Sequence, residues 1–215
     1  AGHGRKWFDR ASLKDALSRP HVGWLLLTVF LTTFAFSQFE STLSLLTARL
    51  GLSDKYNFYV FAYIGFILTL AQGLLVRRLI PRLGEFRMAL VGVVLMTAGL
   101  ALIGVSSGQT SLALLYAVLP VTVIGFSATT PSLQSLLSLN TPEDKQGGVL
   151  GVGQSMSSLA RILGPLLGLS LQDYGIAWPY WAAAGLMAVC VLLVCGLRNA
   201  TPARDVPAAA DAVIG

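Results

Sequence analysis

The sequence predicts an all-α membrane protein with six transmembrane helices, arranged as an inverted repeat of three helices plus three. Its 215 residues are 54% hydrophobic and only 12% charged, and the mean hydropathy is +0.70. A soluble domain carries about a quarter charged residues, so this composition excludes that class. Six apolar stretches are long enough to cross a hydrocarbon core of about 30 Å, which takes about 20 helical residues. A repeating order of polarity among these stretches predicts the internal repeat.

The six predicted spans are separated by short segments that favour turns. In chain order the spans are His21 to Leu46, Phe58 to Val76, Met88 to Val105, Leu112 to Leu137, Val149 to Leu171 and Trp178 to Leu197. The segments between them are Gly51 to Lys55, Ile80 to Glu85, Ser106 to Gln109, Asn140 to Gln146 and Gln172 to Gly175. Because these segments are rich in turn-forming or charged residues, the spans form a predicted transmembrane bundle over residues 20–198.

Basic residues predict the orientation of the spans. Of the 15 Lys and Arg, 12 fall on the side that carries both termini, whereas Arg49 and Lys55 fall on the other side and Arg161 lies inside a span. Lys and Arg are in excess on the cytoplasmic side of membrane proteins. We therefore expect a multi-pass protein of the cell (inner) membrane with both termini in the cytoplasm, and no nucleic-acid partner. Residues 1–19 are predicted to be a cytoplasmic linker with a surface helix, and residues 199–215 a flexible cytoplasmic tail.

Aromatic and cysteine residues of the last span have structural interpretations. Trp178, Tyr180 and Trp181 lie at its outer start, where aromatic rings are enriched at the boundary between membrane and water. Cys190 and Cys195 are five residues apart and on different helix faces, so neither a disulfide nor a metal site is predicted. The sequence indicates no cofactor.

Polar residues are distributed over the spans in an order that repeats. The first and fourth spans are rich in Ser, Thr and Gln, the second and fifth are intermediate, and the third and sixth have few polar residues. In an inverted-repeat transporter, the polar helices would line a water-filled cavity and the apolar helices would face lipid. Chance variation among six helices is the alternative explanation.

Within three spans, polar residues recur at the three- and four-residue steps that place them on one helix face. Because lipid offers no hydrogen bonds, such a stripe predicts water or polar partners along the helix. Hydroxyls that bond to their own helix, or that join two helices, are the alternative. The predicted substrate cavity comprises Thr33, Ser37, Gln38, Ser44, Ser127, Thr130, Gln134, Gln154 and Ser158.

Glu40 and Arg161 are ionisable residues inside predicted spans. A charge in the membrane costs several kcal/mol unless it is paired or hydrated. At about 1.5 Å per residue, Arg161 lies near the middle of the membrane and Glu40 nearer the outer face, so their long side chains can meet if the helices are neighbours. Glu40 is the candidate proton-titrating or cation-sensing group, and Arg161 is its counter-charge. A structural ion pair, or pairing with charges outside this chain, is the alternative.

The fifth span contains spaced small residues and a Gly-Pro pair. Pro165 removes a backbone hydrogen bond and Gly164 permits close approach, so a bend or tight packing is predicted there. The pattern resembles the antiporter motif of the major facilitator superfamily, G-x8-G-x3-G-P-x2-G-G, with Ala in second place and Leu in last place. Its residues here are Gly151, Ala160, Gly164, Pro165, Gly168 and Leu169.

A basic segment between the second and third spans carries a second resemblance. Residues Gly73 to Arg87 are similar to the cytoplasmic loop of the same superfamily, in the degenerate form found after span eight, but without its usual acidic residue. The residues that carry this similarity are Gly73, Arg77, Arg78, Arg82, Gly84 and Arg87. A plain basic cytoplasmic loop is the alternative. In the first span, Phe34 to Leu43 is similar to span seven of drug:proton antiporters related to tetracycline efflux pumps.

The resemblance implies that the chain is the C-terminal half, spans seven to twelve, of a twelve-span transporter. The implied partners are the N-terminal six-span half, a small-molecule substrate, protons and the lipid bilayer. The implied function is proton-coupled efflux of a small amphipathic compound or drug by alternating access, without enzymatic activity.

Other classes of function remain alternatives. A non-transporting membrane receptor or scaffold, or a facilitator for another small solute, would use the same fold. Gly104 to Gly108 fits the G-x-S-x-G pattern of serine hydrolases, but it is predicted to be an outer loop and not a strand-to-helix elbow. His3 and His21 lie at the other end, which disfavours an intramembrane protease. No phosphate-binding loop G-x4-G-K-[ST] is present, so active transport would use a gradient.

Overall fold

The computed structural model describes residues 20–108 and 112–197, and the segments it describes are mostly helical. Its α-helices are α1 (Pro20–Arg49), α2 (Asp54–Leu70), α3 (Arg77–Leu83), α4 (Glu85–Ser106), α5 (Leu112–Leu139), α6 (Gln146–Gln172) and α7 (Trp178–Gly196). A π-helical segment, Ala71–Val76, joins α2 to α3 in one continuous helix. A 3-10 turn, Glu143–Lys145, precedes α6. The expectations for residues 1–19 and 199–215 lie outside the described residues.

Each predicted span coincides with one helix or one continuous helical run. Among the described residues, five helices have the length and apolar composition needed to cross a membrane: α1, the α2–α3 run, α4, α5 and α7. α6 occupies the position of the fifth predicted span and has 27 residues, but Gln154, Ser158 and Arg161 reduce its hydropathy. The all-helical, apolar character predicted from composition is confirmed.

The connection predicted at Ile80 to Glu85 is mostly helix. α3 continues to Leu83, and Gly84, with φ of +79°, makes the turn into α4. Glycine adopts positive φ at little cost because it has no Cβ, so one residue is enough to reverse the chain. The arginines predicted to lie in a loop are therefore mostly on the last turns of a helix.

α1 and α5 form the centre of the bundle. α4 packs along α5 and α7, whereas α1 packs along α6 and α7. Phe36 of α1 stacks on Phe126 of α5, with ring centroids 3.7 Å apart. The α2–α3 helix contacts mainly α5 and is the least buried of the candidate spans. The third predicted span, α4, is half buried within the described bundle, and the expectation that the third and sixth spans face lipid stays a prediction.

A second apolar cluster identifies one end of the bundle. It joins Val22 near the start of α1, Ala89 near the start of α4, Leu137 near the end of α5, Val149 near the start of α6 and Leu197 after α7. The arginines at positions 77, 78, 82 and 87 lie on helix ends at this side. We call it the basic end.

Glycines hold α4 and α5 close together. A Cβ added at Gly99 would lie 2.6 Å from the backbone nitrogen of Thr122, and one at Gly125 would lie 2.5 Å from the backbone nitrogen of Met96. Small residues let membrane helices approach until their backbones touch, which increases dispersion contacts where no hydrophobic effect operates. α4 carries few polar residues and was therefore expected to face lipid. The close packing against α5 explains why it is half buried.

The aromatic residues at the start of α7 separate into two groups. Trp178 and Trp181 are exposed, as expected for interfacial anchors, but Tyr180 is completely buried. Tyr180 shares a helix face with Ala183 and Met187, which pack into the main core. The prediction of an interfacial Tyr180 is therefore wrong.

Candidate functional site

Glycines of α6 bring that helix into close contact with α1. A Cβ added at Gly164 would lie 2.8 Å from the carbonyl oxygen of Phe34, and one at Gly168 would lie 2.7 Å from Cγ of Gln38. Gly151, in contrast, has nothing within 4 Å. We call this contact the α1–α6 seam; its buried small residues are Ala160, Gly164 and Gly168.

A proline in α6 leaves one carbonyl of the seam without its helical partner. α6 remains helical through Pro165, which has no N–H to donate to the carbonyl of Arg161, four residues earlier. The hydroxyl of Ser37 on α1 donates to this carbonyl at 3.3 Å. Because a free carbonyl in the membrane costs free energy, this hydrogen bond explains why Ser37 and the Gly-Pro pair face each other.

The two ionisable residues of the predicted spans lie on the same seam. Glu40 is one turn of α1 beyond Ser37, which bonds to the backbone of Arg161. Glu40 is half-buried and Arg161 is exposed. The guanidinium is near enough for its charge to act on the Glu40 carboxylate.

A small cleft opens between α1, α5 and α6, on the basic-end side of the seam. It has a volume of about 170 Å³, and its polar lining residues are Gln134 of α5 and Gln154 of α6. An adjoining hollow is lined by Thr33 of α1 with Thr130 and Gln134 of α5. Four of the nine predicted cavity residues are thus brought together by three helices.

The other predicted cavity residues lie elsewhere. Ser37 belongs to the seam, and Gln38 is fully buried, with Nε2 donating to the carbonyl of Pro179 at 2.8 Å. Three hydroxyls bond to carbonyls of their own helix, which is the alternative that the sequence left open; they belong to Ser44, Ser127 and Ser158.

The hydroxyls of the cleft also bond to their own helix. Thr33 donates to the carbonyl of Val29, and Thr130 donates to the carbonyl of Phe126. Their oxygen lone pairs remain available to accept hydrogen bonds. The cleft therefore presents acceptors from the threonines, and both donors and acceptors from the two glutamines.

The residues of the basic segment lie away from the cleft. Gly73 is inside the π-helical segment, and Gly84 forms the turn between α3 and α4. Next to this turn, the hydroxyl of Ser135 donates to the Glu85 carboxylate at 3.3 Å, which joins α5 to the start of α4. The arginines of the segment, Arg77, Arg78, Arg82 and Arg87, are all exposed.

A second pairing of a proline with a cross-helix hydroxyl was missed by sequence reasoning. Pro120 in α5 cannot donate to the carbonyl of Tyr116, four residues earlier, and the hydroxyl of Tyr63 on α2 donates to that carbonyl at 3.2 Å. The two rings also meet edge to face, with centroids 5.2 Å apart. The available signal was a proline inside a predicted span, because the residue four positions earlier then has a free carbonyl.

The serines of the Gly104 to Gly108 string bond to carbonyls of their own helix, and Gly104 to Ser106 belong to the end of α4 instead of the predicted outer loop. Ser106 donates to the carbonyl of Ile103, and Ser107 donates to the carbonyl of Gly104. His21 is near the start of α1, at the opposite end of the bundle. Within residues 20–108 and 112–197, no three His, Cys, Asp or Glu side chains come together in a way that could hold a metal ion.

The comparisons with known proteins agree with a membrane transporter. The family model described as Major Facilitator Superfamily matches residues 1–165. The chain is 30% identical over 162 residues to Multidrug resistance protein 2 of Bacillus subtilis (strain 168), a match that covers 75% of this chain and 40% of that protein. It is 31% identical over 135 residues to the uncharacterized MFS-type transporter YhhS of Escherichia coli (strain K12), covering 61% of this chain and 32% of that protein. The chain thus spans 40% or less of the length of these relatives.

Proposed function

This chain belongs to the Major Facilitator Superfamily, and from that premise we propose that it forms the C-terminal six-span half of a secondary active transporter. The transporter exports a small amphipathic compound or drug in exchange for protons, by alternating access. The similar protein of Bacillus subtilis is named for multidrug resistance, which supports this class of cargo. The observation that carries the proposal is the α1–α6 seam, which bears two ionisable residues about two helical turns beyond a polar cleft.

The packing of the helices supports a repeat of three spans plus three. Exchanging α1 with α5, the α2–α3 helix with α6, and α4 with α7 turns each of the main helix contacts into a contact that the bundle also has, and the α4–α7 and α1–α5 pairs map onto themselves. The α1–α6 pair becomes the α5–α2 pair, and the α4–α5 pair becomes the α7–α1 pair. Carriers built from such repeats bind their cargo at the interface between the repeated units.

The size of the cleft supports a companion half. Sites for small molecules have volumes of about 300–1,000 Å³, whereas the cleft has about 170 Å³. A second six-span half facing α1, α5 and α6 would supply the missing wall. The excess of Lys and Arg at the basic end supports a cytoplasmic location for that end.

The position of Glu40 supports proton coupling. When the carboxylate is charged, Arg161 attracts it across the α1–α6 seam. Protonation removes that attraction, so the free energy of the seam differs between the two protonation states. A conformational equilibrium that changes the seam is thereby linked to proton binding. Cargo bound in the adjacent cleft shifts the same equilibrium.

The test is transport by the full-length transporter in vesicles, with an imposed pH gradient and the fluorescent cation ethidium as cargo. We expect Glu40→Gln to lower gradient-driven transport about tenfold, the scale of a typical coupling free energy, while membrane insertion is unchanged. Glu143→Gln is the matched control, because Glu143 is an exposed residue in the turn before α6. Normal gradient-driven transport by Glu40→Gln would refute the coupling role.

A second measurement separates a carrier from a receptor on the same fold. Downhill ethidium exchange without a pH gradient should persist in Glu40→Gln, because the glutamines and threonines of the cleft are intact. Substrate binding without any flux, in the parent and in the variant alike, would contradict the transporter.

A further inference from the structure

Gln38 carries a buried amide that is only half satisfied. The side chain is completely buried in α1, two residues before Glu40. Its Nε2 donates to the carbonyl of Pro179 on α7 at 2.8 Å, whereas its Oε1 has no hydrogen-bond partner among the described residues. A buried oxygen without a partner costs at least as much free energy as one typical hydrogen bond contributes. The amide therefore adds little to stability, and its presence calls for another explanation.

The neighbouring helix α6 is shaped around this amide. A Cβ added at Gly168 would lie 2.7 Å from Cγ of Gln38 and 3.0 Å from Cγ2 of Thr42. One turn further along α6, Nε2 of Gln172 donates to the carbonyl of Thr42 at 3.3 Å. These contacts join α1, α6 and α7 in one place. We call the five residues that make them the three-helix clamp: Gln38, Thr42, Gly168, Gln172 and Pro179.

The clamp and Ser37 hold α1 on both sides of Glu40. Ser37, one turn before Glu40, donates to the carbonyl of Arg161, and Gln38 and Thr42 lie two residues before and after Glu40. Each residue of an α-helix turns the chain by about 100° and advances it by about 1.5 Å. A shift of α1 by one residue would therefore break these contacts and turn Glu40 away from Arg161. The clamp thus helps to fix the face of α1 on which Glu40 lies.

Arg161 is the charge toward which this register directs Glu40. Its guanidinium is near enough to act on the Glu40 carboxylate. The helices that pack along α1 are α5, α6 and α7, and apart from Arg161 these three helices contain no Asp, Glu, Lys, Arg or His. Tyr180 and Cys190 of α7 are buried and are uncharged at neutral pH. The position of Glu40 relative to Arg161 therefore decides the electrostatics of the seam.

We propose that Gln38 is a positioning residue for Glu40, and that its amide serves the register of α1 instead of the stability of the fold. The clamp keeps α1, α6 and α7 together beyond the charged pair. A change of charge at Glu40 then moves the seam as one unit and is not lost in a rotation of α1 alone. This inference rests on the proposed coupling role of Glu40. It concerns contacts inside this chain, so it does not depend on what covers the outside of the bundle.

The first test compares gradient-driven and downhill ethidium transport by the full-length transporter in vesicles. Gln38→Leu removes the amide and keeps a side chain of similar size. We expect gradient-driven transport to fall about tenfold and downhill exchange to stay as in the parent, because the cleft is unchanged. The matched control is Thr28→Val, at a buried position of α1 whose hydroxyl bonds to its own helix. Both kinds of transport should persist in the control.

Two outcomes of this comparison would overturn the positioning role. Normal gradient-driven transport by Gln38→Leu would show that coupling does not need the amide. An equal loss of both kinds of transport would show a general defect of the fold. Glu40→Gln distinguishes the two proposals: if it also transports normally, the coupling role fails as well, and if it alone is impaired, only the positioning role fails.

A double-mutant cycle tests whether Gln38 acts through Glu40. In a Glu40→Gln background, Gln38→Leu should cause no further loss of gradient-driven transport, because the group that it positions is already neutral. A further tenfold loss in the double variant would show that Gln38 acts independently of Glu40, which contradicts the proposal.

Thermal unfolding in detergent separates register from stability. The unfolding midpoint of Gln38→Leu should equal or exceed that of the parent, because the substitution removes the Oε1 atom that lacks a partner in the described part of the chain. Gly168→Ala is the positive control and should lower the midpoint, since its Cβ would meet Cγ of Gln38. A lower midpoint in Gln38→Leu would show that Gln38 stabilises the fold and would overturn the proposal.

Discussion

At the scale of residues, two cross-helix hydrogen bonds at prolines, one of them in the α1–α6 seam, determine how neighbouring helices are aligned. Proline removes a backbone donor, and within a membrane no water replaces it. Ser37 supplies the donor for the carbonyl of Arg161, and Tyr63 does so for the carbonyl of Tyr116. Each hydroxyl fixes the position of one helix along its neighbour, because the neighbouring helix has its free carbonyl at a single point along its axis, four residues before the proline.

This pairing predicts a double-mutant result. Ser37→Ala should lower the free energy of unfolding by about 1 kcal/mol, because the Arg161 carbonyl loses its partner. In a Pro165→Ala background the carbonyl regains its helical partner, so most of that cost should disappear. Thermal unfolding in detergent, followed by circular dichroism, measures both values. Ser158→Ala is the control, since Ser158 bonds to its own helix; an equal cost of Ser37→Ala in both backgrounds would contradict the explanation.

At the scale of elements, two departures from regular helix packing shape the bundle. The π-helical segment redirects one face of the α2–α3 helix, and glycines allow α4 and α5 to approach each other. Both determine which faces of the helices meet.

The glycine contacts predict that Gly→Ala changes the free energy of unfolding differently at two positions. Gly99→Ala should lower the free energy of unfolding by about 1–3 kcal/mol, because the new Cβ would meet the backbone of Thr122. Gly185→Ala on α7 has nothing within 4 Å of the new Cβ, and should be neutral or stabilising by up to about 1 kcal/mol. Unfolding of the two variants under the same conditions gives the comparison. Equal stabilities would show that α4 and α5 can separate without cost.

At the scale of the whole molecule, α6 presents a mixed surface that the described bundle leaves open. Gln154, Ser158 and Arg161 are exposed along one face, and Ile162 and Leu166 are more than 60% exposed beside them. A polar face of this length is unstable against lipid. Its position beside the cleft agrees with an aqueous path shared with a companion half.

This arrangement predicts the accessibility of α6 in the full-length transporter. With exposed Cys195 replaced by Ser, Gln154→Cys and Ser158→Cys should react with a membrane-impermeant maleimide about tenfold faster than Leu192→Cys, because the reactive thiolate needs water. Labelling followed by mass spectrometry gives the rates. Equally slow reaction at all three positions would show that α6 has no aqueous face.

The sequence alone determined the class of protein, the positions of the helices and the identity of the unusual residues. These properties depend on local quantities: apolar length, three- and four-residue spacing, and charges or glycines at the ends. Glu40, Arg161 and the Gly164-Pro165 pair were identifiable in this way. The helix boundaries were predicted less accurately. The composition predicted a six-residue connection from Ile80 to Glu85, whereas Gly84 alone makes the turn.

Only the tertiary structure decided which helices are neighbours and which polar groups meet. It placed Ser37 on the Arg161 carbonyl, turned Gln38 toward Pro179 and buried Tyr180. The predicted cavity residues were divided among a cleft, a seam, bonds within single helices and, for Gln38, a bond to α7. The physical reason is that every span is apolar enough to pack against any other. The choice is made by backbone close approach at glycines and by single hydrogen bonds between residues far apart in sequence, and neither leaves a periodic signal.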